Sequence, residues 1–344
     1  MSVRVVNTPG SPSVSERKSR QIQIVLTEPG SRGYPAPLDE PKNASLEKGQ
    51  KLSQQGPYAE LMKELNQLVG LDNIKELVYE IYAMLQVSQY RSEAGLLSNP
   101  HVYHMIFKGN PGTGKTTVAR ILARMFQQMG VLPKGHLIEA ERADLVGEYI
   151  GHTAIKTREM VRKAMGGILF IDEAYSLGRG GEKDFGKEAI DALVKAMEDY
   201  KDKFILILAG YTREMDDFLL LNPGLPSRFP IQVEFPDYTI DELIQIAEQM
   251  VKEREYTMLP QTVALLKQEL IREKEQTAFS FSNARYVRNQ IERAIRYQAV
   301  RLLESSSQPP GRQELMTLRP EDFRFDRGRG KRTMTGTGGR MAGG

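Results

Sequence analysis

The 344-residue chain contains no cysteine. That absence removes a disulfide framework, a thiolate nucleophile and zinc sites built on cysteine. Histidine is scarce: there are four, and they form no ligand cluster. His101 and His104 bracket "HVYH" and are expected at a strand edge. No apolar run approaches the ~18 residues of a membrane span. The N-terminus lacks the apolar h-region of a secretory signal. Strong charge of one sign is missing too. At a net +3 no global field marks nucleic acid as the partner. These absences predict a soluble, cytoplasmic protein.

What is present is an ordinary globular mix, 40% hydrophobic and 26% charged, in a chain long enough for two domains. Residues 1–57 are rich in proline, serine and glycine and read as a flexible arm, with one short alternating run, Gln21 to Leu26, able to form an edge strand. From Tyr58 apolar residues recur at helical spacing: Leu61, Leu65 and Leu68, then Leu77, Ile81 and Leu85, with "VGLDN" separating two helices. Strand candidates then alternate with helices. "HMIFKG" precedes a helix from Lys115, and "HLIEA" a helix after Thr153. "GGILFIDEA", "KFILILAGY" and "IQVEF" follow. Unbroken apolar strands such as "ILFI" and "ILIL" predict a parallel sheet covered on both faces. "FPDYT" marks a boundary, beyond which the periodicity is helical only. The expected organisation is an α/β nucleotide-binding domain over 58–236, a small helical domain over 237–325, and a disordered basic tail over 326–344.

The chemistry starts at "GNPGTGKT", Gly109 to Thr116, which fits G-x-x-x-x-G-K-[ST]. Gly109, Gly112 and Gly114 let the backbone curl around phosphate, with Asn110, Pro111 and Thr113 between them and Thr117 just after. The helix that follows presents its N-terminus to the same anion. Lys115 reaches the β- and γ-phosphates, and Thr116 offers a hydroxyl to Mg²⁺. The acids of "ILFIDEAY" emerge at the carboxyl end of a strand, where α/β sheets bind ligands. Asp172 is the expected Mg²⁺ partner through water, and Glu173 the carboxylate that polarises the attacking water. The competing reading makes the two acids a helix cap and a surface charge. No guanine-reading N/T-K-x-D follows, so ATP is favoured, with Val69 and Gly70 in "LVGLDNIK" as an adenine wall.

These motifs, with "GEYIGHTA", "LAGYTREM" and "NPGLPSRFP", resemble the AAA+ ATPases, in the branch that includes the red-type Rubisco activases. The resemblance spans about Tyr58 to Phe325. It implies a homo-oligomeric ring, usually a hexamer, with ATP at each subunit junction, and an unidentified protein client. It also implies roles for two arginines. Arg228 in "PSRF" matches the arginine finger that reaches a neighbour's site; Arg285 in "SNAR" matches the sensor-2 arginine. An ordinary surface salt bridge is the alternative for each. The branch departs from the polar sensor-1 pattern, and the matching position falls near Tyr211 or Thr212. Tyr149, Ile150 and Gly151 match the aromatic–hydrophobic–glycine pore loop, the alternative being that Tyr149 packs on its own domain. The loop Gly178 to Asp184 either lines the same pore or is simply solvated. A nucleic-acid motor and a nucleotide-switched scaffold are the rival functions. Acidic Glu148 beside Tyr149 and the lack of a basic stripe argue against the first.

Overall fold

The strands alternate their side chains between two cores, which explains their unbroken hydrophobicity. In β1 (Met105–Gly109), Met105 and Phe107 face one core and Ile106 the other. In β3 (Ile168–Ile171) and β4 (Ile205–Gly210) the same split sends Phe170 and Ile207 one way, Leu169 and Leu208 the other. With β2 (Leu137–Ala140) and β5 (Ile231–Phe235) they form a five-stranded sheet in the order β2-β3-β4-β1-β5, every pair parallel. A parallel sheet requires crossovers, and helices supply them on both faces.

The computed structural model describes residues 58–97, 101–149, 151–179, 185–222, 224–277, 281–305 and 309–325. The arm 1–57 with its Gln21–Leu26 run, the tail 326–344, Ile150 and residues 180–184 lie outside these. No described helix is long and apolar enough to cross a membrane.

On one face lie α1 (Tyr58–Gln67), α2 (Asp72–Glu93) and α3 (Lys115–Gln128). Leu65, Ile74, Val78 and Ile81 are buried there, at the helical spacing seen in the sequence. The rings of Phe107 and Phe235 meet at 4.9 Å across β1 and β5; truncating either to alanine would cost about 3–5 kcal/mol. After the four-residue α4 (Arg142–Leu145), the opposite face carries α5 (His152–Ala164), α6 (Gly186–Asp199) and α7 (Thr212–Leu221). The α5 helix starts at His152, not after Thr153: Thr153 is fully buried and its hydroxyl accepts the Gly147 amide at 2.9 Å.

His104 corrects the strand-edge expectation. It is buried beside central strand β1, and its Nδ1 accepts the Leu206 amide of β4 at 2.9 Å. Burial lowers its pKa to about 4, so the ring stays neutral and structural.

Beyond Tyr238 come α8 (Ile240–Lys252), α9 (Pro260–Gln276), α10 (Asn283–Ser305) and α11 (Arg312–Met316). Thr239 caps α8 through a reciprocal pair with Glu242. The region is not purely helical: β6 (Thr257–Met258) and β7 (Thr317–Leu318) form a two-stranded parallel ladder. Two residues are too few to register as a period. Leu243, Leu266, Val287 and Ile291 continue the core that covers one face of the sheet. The helical segment and the sheet fall in one compact unit.

Candidate nucleotide site

The strand order places the carboxyl ends of β1, β4 and β3 side by side. The loop after β1 is the glycine-rich "GNPGTGKT". Gly109, Gly112 and Gly114 all take positive φ, 151°, 71° and 99°. At Gly112 space is decisive as well: a Cβ there would lie 2.7 Å from the Arg285 backbone nitrogen. The loop therefore curls against α10 so closely that only glycine fits. Gly114 then sits at the N-cap of α3, whose first residues are Lys115, Thr116 and Thr117.

These residues line a cavity of about 800 Å³ between the sheet edge and the helical segment. Gly109, Pro111, Gly112, Gly114 and Lys115 form the floor, and Asp172 and Glu173 come in from the end of β3. Leu68, Val69, Leu71, Ile246 and Met250 supply an apolar wall. Gly70 of the expected adenine wall is not part of that lining; it packs where a Cβ would strike the Glu242 side chain. Asn110 and Thr113 also turn away from the cavity, and Thr113 is fully buried behind the loop.

Lys115 brings a cation to the cavity floor. Its Nζ donates to the carbonyls of Gly109 and Asn110, each at 2.8 Å. Burial lowers its pKa to about 8; Asp172 and Asp237 counter the shift, and Arg285 adds to it. An ammonium held this way is poised for a polyanion, which would replace the lost solvation with full charges. The donor set fits a magnesium nucleotide. Thr116 and Asp172 share the cavity, while no group of three acids or histidines that would cage a metal occurs among the described residues. One hydroxyl and one carboxylate suit Mg²⁺, which keeps waters and takes substrate phosphates as ligands.

Three residues whose roles the sequence reading missed tie this floor to the helical segment. The Asp237 carboxylate accepts from Asn110 Nδ2 at 3.0 and 3.1 Å and from Asn283 Nδ2 at 2.7 Å. Asn283, fully buried with φ 46°, also accepts the Tyr238 amide through Oδ1 at 3.0 Å. The Tyr238 hydroxyl donates to the Thr113 carbonyl at 3.2 Å. "FPDYT" looked like punctuation and "SNAR" like a frame for its arginine. The available signal was the Asn inside "GNPG" and the one inside "SNAR", which gain meaning once the chain is folded.

The family models match this layout. "ATPase family associated with various cellular activities (AAA)" covers residues 105–237, and "AAA lid domain" covers 239–333. Stage V sporulation protein K of Bacillus subtilis is 53% identical over 312 residues, 90% of this chain and 96% of that one. The chain belongs to the AAA+ ATPases. Its relatives include the chloroplastic ribulose bisphosphate carboxylase/oxygenase activase of Cyanidioschyzon merolae, 45% identical over 77% of this chain and 90% of that one. Protein CbbX of Cereibacter sphaeroides is 44% identical over 78% and 87%. The FIGL-1 AAA domain solved with ADP shares the fold, with a TM-score of 0.51, 17% identity and coverage of 75% and 80%.

The remaining expected residues of this AAA+ ATPase fall into two groups. Arg285 and Tyr211 line the cavity with Lys115 and Glu173. Thr212, the other sensor-1 candidate, starts α7 and is not in the lining. Arg228 is elsewhere, in the 3₁₀ turn Pro226–Arg228, paired with Glu198 at 2.5 Å and donating to the Gly224 carbonyl at 2.7 Å. Tyr149 is 66% exposed, its ring 5.4 Å from that of His152. Two residues on, Gly151, φ 79°, has open space where a side chain would stand. Ile150 lies outside the described residues.

Proposed function

We propose that this ATPase forms a ring, six-membered by family precedent, and uses hydrolysis to thread or remodel a protein client through the central pore. The supporting observation is Tyr149: a 66% exposed ring, two residues before a glycine with open space where a side chain would stand. Such a ring grips an extended chain through apolar and stacking contacts that do not depend on sequence.

In this reading residues 58–236 act as the motor and 237–325 as its lid. Lys115 and the loop amides bind the phosphates, while Thr116 and Asp172 would hold a Mg²⁺ ion, which would supply charge neutralisation for the phosphates. Leu68, Val69 and Leu71 hold the base. Glu173 takes the proton of the attacking water. Arg285 draws the lid toward the cavity. Arg228, parked on Glu198, completes the site of the adjoining subunit. Tyr149, Ile150 and Gly151 together face the client. The relative named stage V sporulation protein K supports a role in spore maturation, in the cytoplasm of the sporulating cell.

Two variants test this reading. Glu173→Gln is expected to bind ATP, hold the ring together and cut turnover by about 10²–10⁴. Tyr149→Ala is expected to hydrolyse ATP and to fail at remodelling a client trapped with the first variant. Remodelling at the parental rate by Tyr149→Ala removes the pore reading.

A further inference from the structure

Lys115 and Arg285 line one cavity but come from distant parts of the chain. The lysine opens α3 beside the sheet, and the arginine stands in the first turn of α10. Neither helix fixes the separation of the two cations.

A single carboxylate joins them. Asp237, two residues beyond the end of β5, accepts Asn110 Nδ2 through both oxygens and Asn283 Nδ2 through Oδ1. Asn110 belongs to the glycine-rich loop, and its carbonyl takes the Lys115 ammonium at 2.8 Å. Asn283 opens α10, two positions before Arg285. Its Oδ1 holds the Tyr238 amide, which decides that the NH₂ end of the side chain faces Asp237. The same Nδ2 lies 3.4 Å from the Pro111 carbonyl, and the next amide along, that of Ala284, donates to the Gly112 carbonyl at 3.3 Å. The start of α10 is thus stitched to the loop at Pro111 and Gly112, with Asp237 at the joint. The chemistry calls for an acid there. Both neighbours present amide N–H groups, and a carboxylate is acceptor only, whereas an asparagine would turn its own NH₂ toward one of them.

We propose that Asp237 is a positioning residue for ATP hydrolysis: by holding Asn110 and Asn283 together it sets Arg285 at a fixed distance from Lys115. The proposal rests on the reading of Arg285 as a phosphate contact. Asp237 is not in the cavity lining, so it acts through the arginine. A cation displaced by about 1 Å from its working place is costly in rate.

The test is a double-mutant cycle in the full chain, with Mg-ATP at ring-forming concentration: Asp237→Asn, Arg285→Ala and the pair, with single-turnover rates to resolve the slowest. Asp237→Asn alone should lower kcat about tenfold, beyond any change in KM. In the Arg285→Ala background it should lower kcat by less than about twofold, because the arginine it places is gone. A second readout needs no nucleotide. Amide hydrogen exchange at the start of α10, Ala284 to Tyr286, should quicken about tenfold in Asp237→Asn as the helix comes off the loop. Asn110→Ala cuts the same bridge from the loop side; it is read in the same way and carries the test if Asp237→Asn folds poorly. Parental kcat, a change confined to KM, equal losses in both backgrounds or unchanged exchange each overturn the positioning role. If Arg285→Ala itself turns over at the parental rate, the reading of Arg285 fails and the proposal goes with it.

Discussion

Lys115 and Tyr149 contrast in almost every physical respect. The lysine is desolvated, bonded to two carbonyls and flanked by Asp172, Arg285 and Asp237. The tyrosine is two-thirds exposed and touches one neighbouring ring. Phosphate chemistry needs donors fixed before the charge arrives, because reorganising them costs rate. A grip on varied polypeptide needs the opposite, a contact that carries no fixed geometry. In the proposed mechanism the molecule separates the two demands. One region is overdetermined by hydrogen bonds, and the other is left free by Gly151.

The contrast can be broken or sharpened by variants on either side. Arg228→Ala should lower ring ATPase by about 10³–10⁵ while sparing ATP binding, as steady-state rates and a fluorescent-nucleotide titration would show. Asn283→Ala removes one of the two donors to the Asp237 carboxylate and the acceptor of the Tyr238 amide. It should cost about 1–3 kcal/mol in a urea melt and weaken ATP binding through the loosened floor. The pH dependence of binding reports on Lys115. With its pKa near 8, the ammonium is lost from the free site above that pH, whereas bound phosphate favours keeping it. ATP affinity should therefore fall about tenfold per pH unit above 8 and stay flat just below; calorimetry between pH 7 and 10 reads it. Tyr149→Ala, by contrast, should move stability by less than about 0.5 kcal/mol.

The same contrast explains what the sequence revealed. The cavity floor was legible because backbone geometry demands glycines at fixed spacing and a helix after them. The three central strands were legible because both their faces are buried. Tyr149 stood out because a large ring among glycines has nothing obvious to pack on. What stayed hidden depends on long-range pairing. Asp237 and Asn283 are 46 positions apart and meet only when the helical segment folds back. His104 looked like a strand-edge residue because nothing local announces a side chain accepting an amide of a neighbouring strand. Gly70 fell in the right segment but faces Glu242 rather than the cavity.

In the proposed ring each site is completed by a second copy of the chain. Mixing Lys115→Ala with Arg228→Ala tests it directly. Each variant alone should be inactive. In mixed rings the Lys115→Ala subunits still carry Arg228 and can lend it to an intact cavity next door, so Mg-ATP hydrolysis should return to a clear fraction of the parental rate. If the mixture stays as inactive as its components although both assemble together, the arginine does not act across the junction and the shared-site account is wrong.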